Sequence, residues 1–154
     1  MTDLQAYVDA FAAAEGLERI EPDADGFYHL VADDDMPVSV GPVADGGIVL
    51  SAEIGDVPSE GRDQFYRLLL EAMYGLRETK GATFQVVRNA EKVILRQIVS
   101  AARVDSEALA DRLDAFADLQ SEWRRRIADF RPEIESEGRE GVEGGFPGPD
   151  LMQV

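Results

Sequence analysis

The spacing of apolar residues along this chain changes period several times, and this constrains the fold more than any other feature. A period near 3.6 residues indicates a helix, whereas strict alternation indicates a strand with one buried face. Helical and alternating stretches follow one another in the order α-β-β-β-α-β-β-α. The predicted helices cover about residues 2–15, 59–76 and 105–130, and the predicted strands cover 27–31, 36–40, 48–54, 82–87 and 93–99.

The links between the predicted strands are short and rich in turn-forming residues. Asp25-Gly26, Asp33-Asp34-Asp35 and Asp45-Gly46-Gly47 punctuate the first three strands, and residues 88–92 separate the last two. Antiparallel neighbours can be joined by such links, whereas parallel neighbours need a crossover of a dozen residues or more. We therefore predict an α+β fold in which an antiparallel sheet packs with helices.

The chain divides into one predicted domain and a tail. Residues 1–130 contain the periodic segments, and a chain of 154 residues has room for one domain of ordinary size. Residues 131–154 are rich in glycine, proline and acidic side chains and hold few large apolar groups. Because so few apolar groups cannot offset the entropy of ordering the chain, we predict a disordered tail there.

The second predicted helix is apolar over more of its circumference than a single contact requires. Its main stripe is extended around the helix by Tyr66, Leu70 and Tyr74. A helix of this kind is usually buried on more than one side. We expect one side to pack on the sheet and the other on a second subunit. The main stripe consists of Phe65, Leu68, Leu69, Ala72, Met73 and Leu76.

The net charge of −16 is unevenly distributed along the chain. Residues 1–58 carry thirteen acidic side chains and one basic side chain, a net charge of −12, whereas residues 59–130 carry twelve of each. Nucleic acids and anionic membranes need a basic surface, so both are poor partners for this chain. The acidic half indicates either a basic protein partner or a surface kept soluble by its charge.

The sequence shows no pattern of catalytic or metal-binding residues. There is no cysteine, and His29 is the only histidine, placed in an alternating strand where a structural role is the simpler interpretation. An EF-hand loop counted from Asp33 would have Val38 and Ala44 where glycine and glutamate belong. We therefore expect no enzyme activity, no metal and no cofactor. A carboxylate-based enzyme is the remaining catalytic alternative.

Nothing in the sequence indicates export or membrane insertion. The N-terminal residues lack the basic and apolar regions of a signal peptide. No apolar run approaches the roughly 20 residues that cross a bilayer. We expect a cytoplasmic protein.

Two segments resemble the Tir-chaperone family, the class I type III secretion chaperones. Residues 68–75 (LLLEAMYG) and 79–84 (TKGATF) are similar to the central helix of that family and the strand that follows it. The strand at 93–95 and the final helix with Leu113, Phe116 and Trp123 are similar to its C-terminal part. The resemblance covers about residues 2–130.

The resemblance implies a cytoplasmic, acidic homodimer that binds an extended N-terminal segment of an effector and uses no cofactor. A regulatory or adaptor protein with the same dimeric fold and no secretion client is the alternative. The family's dimer interface corresponds here to Tyr66, Leu69, Leu70, Met73 and Phe84, although these residues would also suit the core of a monomer. The implied client-binding residues are Leu4, Tyr7, Val8, Phe11, Phe27, Tyr28 and Leu30.

Overall fold

The computed structural model describes residues 4–32, 36–44, 46–89, 91–100 and 106–133. Within them the elements follow the predicted order, so the α+β fold with an antiparallel sheet is confirmed. The helices are α1 (Leu4–Ala14), α2 (Arg62–Ala72) and α3 (Ser106–Ala128), and the strands are β1 (Tyr28–Ala32), β2 (Met36–Pro42), β3 (Ile48–Asp56), β4 (Thr83–Val87) and β5 (Lys92–Val99).

The five strands form one sheet in the order β1-β2-β3-β5-β4. All neighbouring pairs are antiparallel, which confirms the predicted meander of the first three strands and the predicted hairpin of the last two. Strand β3 joins these two units by pairing with β5 across its whole length. Strands β1 and β4 therefore form the two edges of the described sheet.

The two faces of the sheet differ in burial because side chains alternate along each strand. Leu30, Val38 and Leu50 lie on the inner face and are almost fully buried. His29 and Val31 point to the outer face and are exposed. Helix α3 packs on the inner face through a stripe with steps of three and four residues. The buried members of that stripe include Leu109, Leu113, Phe116, Leu119, Trp123 and Ile127.

Trp123 is the centre of the contact between α3 and the sheet. Its side chain is fully buried, and its ring meets the Phe84 ring edge-on at a centroid distance of 4.7 Å. The Arg126 guanidinium lies 4.6 Å from the Trp123 ring centroid, in a cation–π position. Burial of a large aromatic side chain contributes on the order of 3 kcal/mol, so this contact is a main source of stability.

Helix α2 begins later than the sequence predicts. The sequence pattern placed the start of this helix at Ser59, a residue type suited to an N-cap, but the N-cap is Gly61, at φ 67°, and the first helical residue is Arg62. Glycine adopts this left-handed conformation without steric cost. Pro132 packs so closely on Gly61 that a Cβ at that position would clash with it. The Ser59 prediction was wrong because this contact lies far outside the local sequence.

Helix α2 also ends earlier than predicted, at Ala72 instead of Leu76. A single 3₁₀ turn follows at Tyr74–Leu76 and contains Gly75 at φ 67°, which breaks the helical hydrogen bonding. The break turns the chain away from the core. As a result the Tyr74 side chain is 89% exposed.

The chain beyond α3 continues to pack against α2. The Phe130 ring meets the Phe65 ring at 5.2 Å. The Gln64 amide donates to the Glu133 carbonyl oxygen at 3.1 Å and accepts from the Glu133 backbone N–H at 2.6 Å. Three predictions concern residues outside the described ones: Thr2 as the cap of the first helix, the turn at residues 33–35, and all but the first three residues of the predicted tail at 131–154.

We predict that Gly61→Ala destabilises the protein more than Gly16→Ala does. Both glycines have φ near 70°, where alanine costs about 1–2 kcal/mol. A Cβ at Gly16 meets nothing within 4 Å, whereas a Cβ at Gly61 displaces Pro132 and adds an overpacking cost of about 1–3 kcal/mol. Urea unfolding of the two variants measures the difference. Equal losses would contradict the packing of residues 130–133 on α2.

Candidate functional site

A cleft of about 270 Å³, lined by both apolar and polar groups, opens between α1, β1 and α3. Leu30 and Val38 of the inner face form its floor, the two helices form its walls, and Val31, whose side chain points to the outer face, borders it on the edge strand β1. Two carboxylates, Glu15 and Asp114, also line it. The apolar lining consists of Phe11, Leu17, Leu30, Val31, Val38 and Leu113.

The position of α1 determines the width of the cleft. Leu4, Val8 and Ala12 are buried against the core, as the helical spacing requires. The Tyr28 hydroxyl donates to the Gln5 side-chain oxygen at 2.7 Å and ties the helix to β1. The helix ends before Gly16, as predicted, and this ending leaves Leu17 at the cleft, with half of its surface exposed.

Strand β1, beside the cleft, is held in place by the turn that precedes it. Asp23 Oδ1 accepts hydrogen bonds from the backbone N–H groups of Asp25 and Phe27, at 2.9 and 3.0 Å. These N–H donors, Phe27 first, and the neighbouring His29 hold the pKa of Asp23 below its ordinary value of 3.8. The turn therefore depends on an ionised carboxylate.

His29 has a structural role on the outer face, as expected. Its Nε2 lies 2.8 Å from Asp23 Oδ2, and its Nδ1 lies 3.0 Å from Ser39 Oγ. This Ser–His–Asp chain stands on the open face of the sheet, outside the cleft. Within the part of the chain that the structure describes, no group of three metal-ligating side chains comes together.

The implied client-binding residues divide into three groups. Phe11 and Leu30 line the cleft. The Phe27 ring lies over Gly41 on the outer face of the sheet, and Tyr7 is half-buried beside the core. The structure places Leu4, Val8 and Tyr28 in the protomer core.

Six of the eight cleft residues were absent from the sequence-based set, among them Val31 of β1 and Val38 of β2. Leu17 follows the end of α1, where no periodic pattern extends. Leu113 belongs to the α3 stripe, and a stripe does not reveal that one of its members borders an opening. Glu15 and Asp114 are separated by about a hundred residues, so no local signal links them.

A second apolar surface lies on the opposite side of the molecule, at α2 and the edge strand β4. The implied dimer residues divide here as well: Leu69 and Phe84 are buried in the core, while Tyr66 and Met73 are half-buried. Leu70 is 65% exposed. Other exposed apolar side chains of this surface are Tyr74, Leu76, Val86 and Val87.

None of the three described helices has both the length and the apolar character needed to cross a bilayer.

Comparison with known proteins gives one family and several similar structures. A family model described as the Tir chaperone protein (CesT) family matches residues 7–124. No curated protein sequence matches the chain. Among solved structures, the ExsC–ExsE complex aligns with a TM-score of 0.69 at 22% identity, over 81% of this chain and 96% of that one.

Two further structures have the same fold. The HopA1–SchA chaperone–effector complex aligns with a TM-score of 0.66 at 11% identity, over 79% of this chain and 93% of that chain. The ExoU–SpcU complex from the type III secretion system of Pseudomonas aeruginosa aligns with a TM-score of 0.58 at 20% identity, over 78% and 93%. At these low sequence identities, the structural similarity shows a shared fold and does not by itself show a shared function.

We predict that Asp23→Ala lowers the melting temperature at neutral pH and that its effect disappears in acid. The pKa of Asp23 is lowered in the folded protein, so its stabilisation is fully present above about 3.8 and is lost as the pH falls through the lower folded value. Asp23→Asn is the matched control, since it keeps an acceptor for both N–H groups but carries no charge. Thermal melts from pH 7 to pH 2.5 measure the effect, and a constant difference between wild type and Asp23→Ala would contradict it.

Proposed function

Because the chain belongs to the Tir chaperone protein (CesT) family, we propose that it is a cytoplasmic chaperone that binds an extended N-terminal segment of a secreted effector. The family match confirms the resemblance to type III secretion chaperones found in the sequence. Proteins of this family bind other proteins and are not enzymes. The expected absence of catalytic motifs is consistent with that membership.

The observation that carries the proposal is the cleft beside β1, an edge strand of the described sheet. Strand β1 pairs only with β2 among the described strands, so its other side is an edge of the sheet along which a client strand can align. An extended peptide along this edge would place alternate side chains on the inner side of the sheet, where the cleft opens. Client side chains on the inner side would then cover Leu17, which is 50% exposed, and the alternate ones on the outer side would cover Val31, which is 60% exposed.

The charge of the N-terminal half supports binding of a basic segment. Residues 1–58 form α1 and the first three strands, and their net charge is −12. A field of this sign attracts basic chains and raises the rate of encounter, an effect that salt screens.

The surface at α2 and β4 supports the homodimer that the family resemblance implies. Leu70 of α2, Tyr74 and Leu76 just beyond it, and Val86 and Val87 of the edge strand β4 are all exposed, and exposed apolar groups of this number are typical of an interaction surface. The half-buried Tyr66 and Met73 would become fully covered by a second copy. Leu69 and Phe84 would contribute from below, by holding α2 and β4 in position.

Substitution of the exposed cleft residues should weaken client binding without unfolding the protein. We expect Leu17→Ser combined with Val31→Ser to lower affinity about tenfold, from the loss of roughly 1–2 kcal/mol of apolar burial. Ile98→Ser is the control, since Ile98 is 62% exposed but lies away from the cleft.

The probe for this measurement is a displayed library of N-terminal segments of proteins encoded in the same genome. Segments enriched on the wild-type protein are then titrated against each variant by calorimetry. Equal binding to all variants would rule out the cleft as the client site. A second library that displays whole regulatory proteins from the same genome tests the adaptor alternative, which enrichment of a folded protein would favour.

The proposed dimer predicts a solution mass of about 34 kDa, twice the 16.9 kDa of the chain. Leu70→Asp should shift the mass towards 16.9 kDa, because a buried unpaired carboxylate costs several kcal/mol at an interface. Ile98→Asp is a matched control, with nearly the same exposure on a different surface. Light scattering at several protein concentrations measures the mass of the wild type and of each variant. A wild-type mass of 16.9 kDa at all concentrations would contradict the dimer.

A further inference from the structure

The lining of the cleft combines an apolar floor with two acidic side chains and no basic one. Glu15 stands just beyond the C-terminal end of α1, and Asp114 stands on the exposed side of α3 next to Leu113. One carboxylate therefore lies at the end of α1 and the other on α3, the two helices that form the walls of the cleft. Both helices lie on the inner side of the sheet, the side on which the Leu30 and Val38 side chains form the floor.

These carboxylates lack cationic neighbours, unlike many others in the protein. Among the described residues neither Glu15 nor Asp114 takes part in an ion pair, whereas Arg19 pairs with Asp9 and Glu21 and Lys92 pairs with Glu53 and Asp56. A cation brought by a ligand would meet two exposed carboxylates that no cationic side chain of the described residues neutralises in an ion pair.

We infer that the cleft selects client segments in which an apolar residue is followed or preceded, two positions away, by lysine or arginine. This inference rests on the proposed function, since it specifies the client that the same cleft would bind. The apolar side chain would fill the cleft, and the basic side chain would reach Glu15 and Asp114.

The spacing follows from the geometry of an extended chain. Side chains alternate between the two sides of a strand, and residues two apart on one side are separated by about 6.6 Å. Apolar floor and acidic walls lie on the same side of the sheet, so the two client residues must be on the same side of the client strand. A basic residue directly adjacent to the apolar anchor would point to the outer face and away from both carboxylates.

The probes that test this spacing are short fluorescein-labelled peptides made of glycine, serine, leucine and lysine. In both peptides leucine recurs at every fourth position. In the first, each lysine stands two residues after a leucine, and in the second it stands one residue after a leucine, with the same composition and net charge. A third peptide carries glutamate in place of lysine at the two-residue spacing.

Fluorescence anisotropy with the full-length protein should rank the first peptide about threefold to tenfold above its isomer, and the glutamate peptide should bind most weakly. This range corresponds to one or two partly exposed ion pairs. Glu15→Gln with Asp114→Asn should remove the preference between the isomers. Glu60→Gln with Asp129→Asn makes the same change in net charge outside the cleft and should leave the preference intact.

The outcomes separate the inference from the proposed function. If both isomers bind equally but Leu17→Ser with Val31→Ser weakens both, the cleft binds peptides and the acidic selection is wrong. If the control pair Glu60→Gln with Asp129→Asn removes the preference as well, the effect is one of overall charge and the inference is overturned. If peptide binding is indifferent to the cleft substitutions, the proposed client site itself fails.

Discussion

Both candidate surfaces depend on the packing of α3 across the inner face of the sheet. Trp123 is fully buried at that contact, between the Phe84 ring and the Arg126 guanidinium. The same helix brings Leu113 to the cleft, and the chain just beyond its end brings Phe130 to α2. At 1.5 Å per residue α3 is about 35 Å long, so one rigid element sets the positions of α1, α2 and the sheet relative to one another.

The two edges of the sheet separate the two kinds of contact. The cleft lies beside β1, and the α2 surface lies beside β4, at opposite ends of the strand order. With strands about 4.8 Å apart, the two edges are about 19 Å from each other. A client at one edge and a second copy at the other would therefore not compete. Each edge strand has only five residues, which limits unwanted pairing with other strands.

Local sequence patterns predicted which residues share a face of a strand or helix, but not which face of a helix meets the core. Alternation correctly separated Leu30, which faces the helices, from His29, which faces outward. The helical stripe identified α2 as apolar on two sides, but it did not identify which side meets the core. Leu69 proved to be buried in the core, and Leu70, its neighbour in sequence, remains exposed. Periodicity gives the angle between two residues on a helix, whereas which side of the helix meets the core depends on tertiary packing, which buries Phe65 and Leu69 here.

The sequence by itself determined the type and order of the elements, the antiparallel hairpins and the acidic character of the N-terminal half. These properties depend on turn chemistry and on side chains within a few residues of each other, which a linear sequence records. Only the tertiary structure decided that β3 pairs with β5, that Pro132 packs on Gly61, and that Glu15 and Asp114 line one cleft. Those contacts join segments tens of residues apart, and they form because the whole core must be filled at once, a requirement with no local signature in the chain.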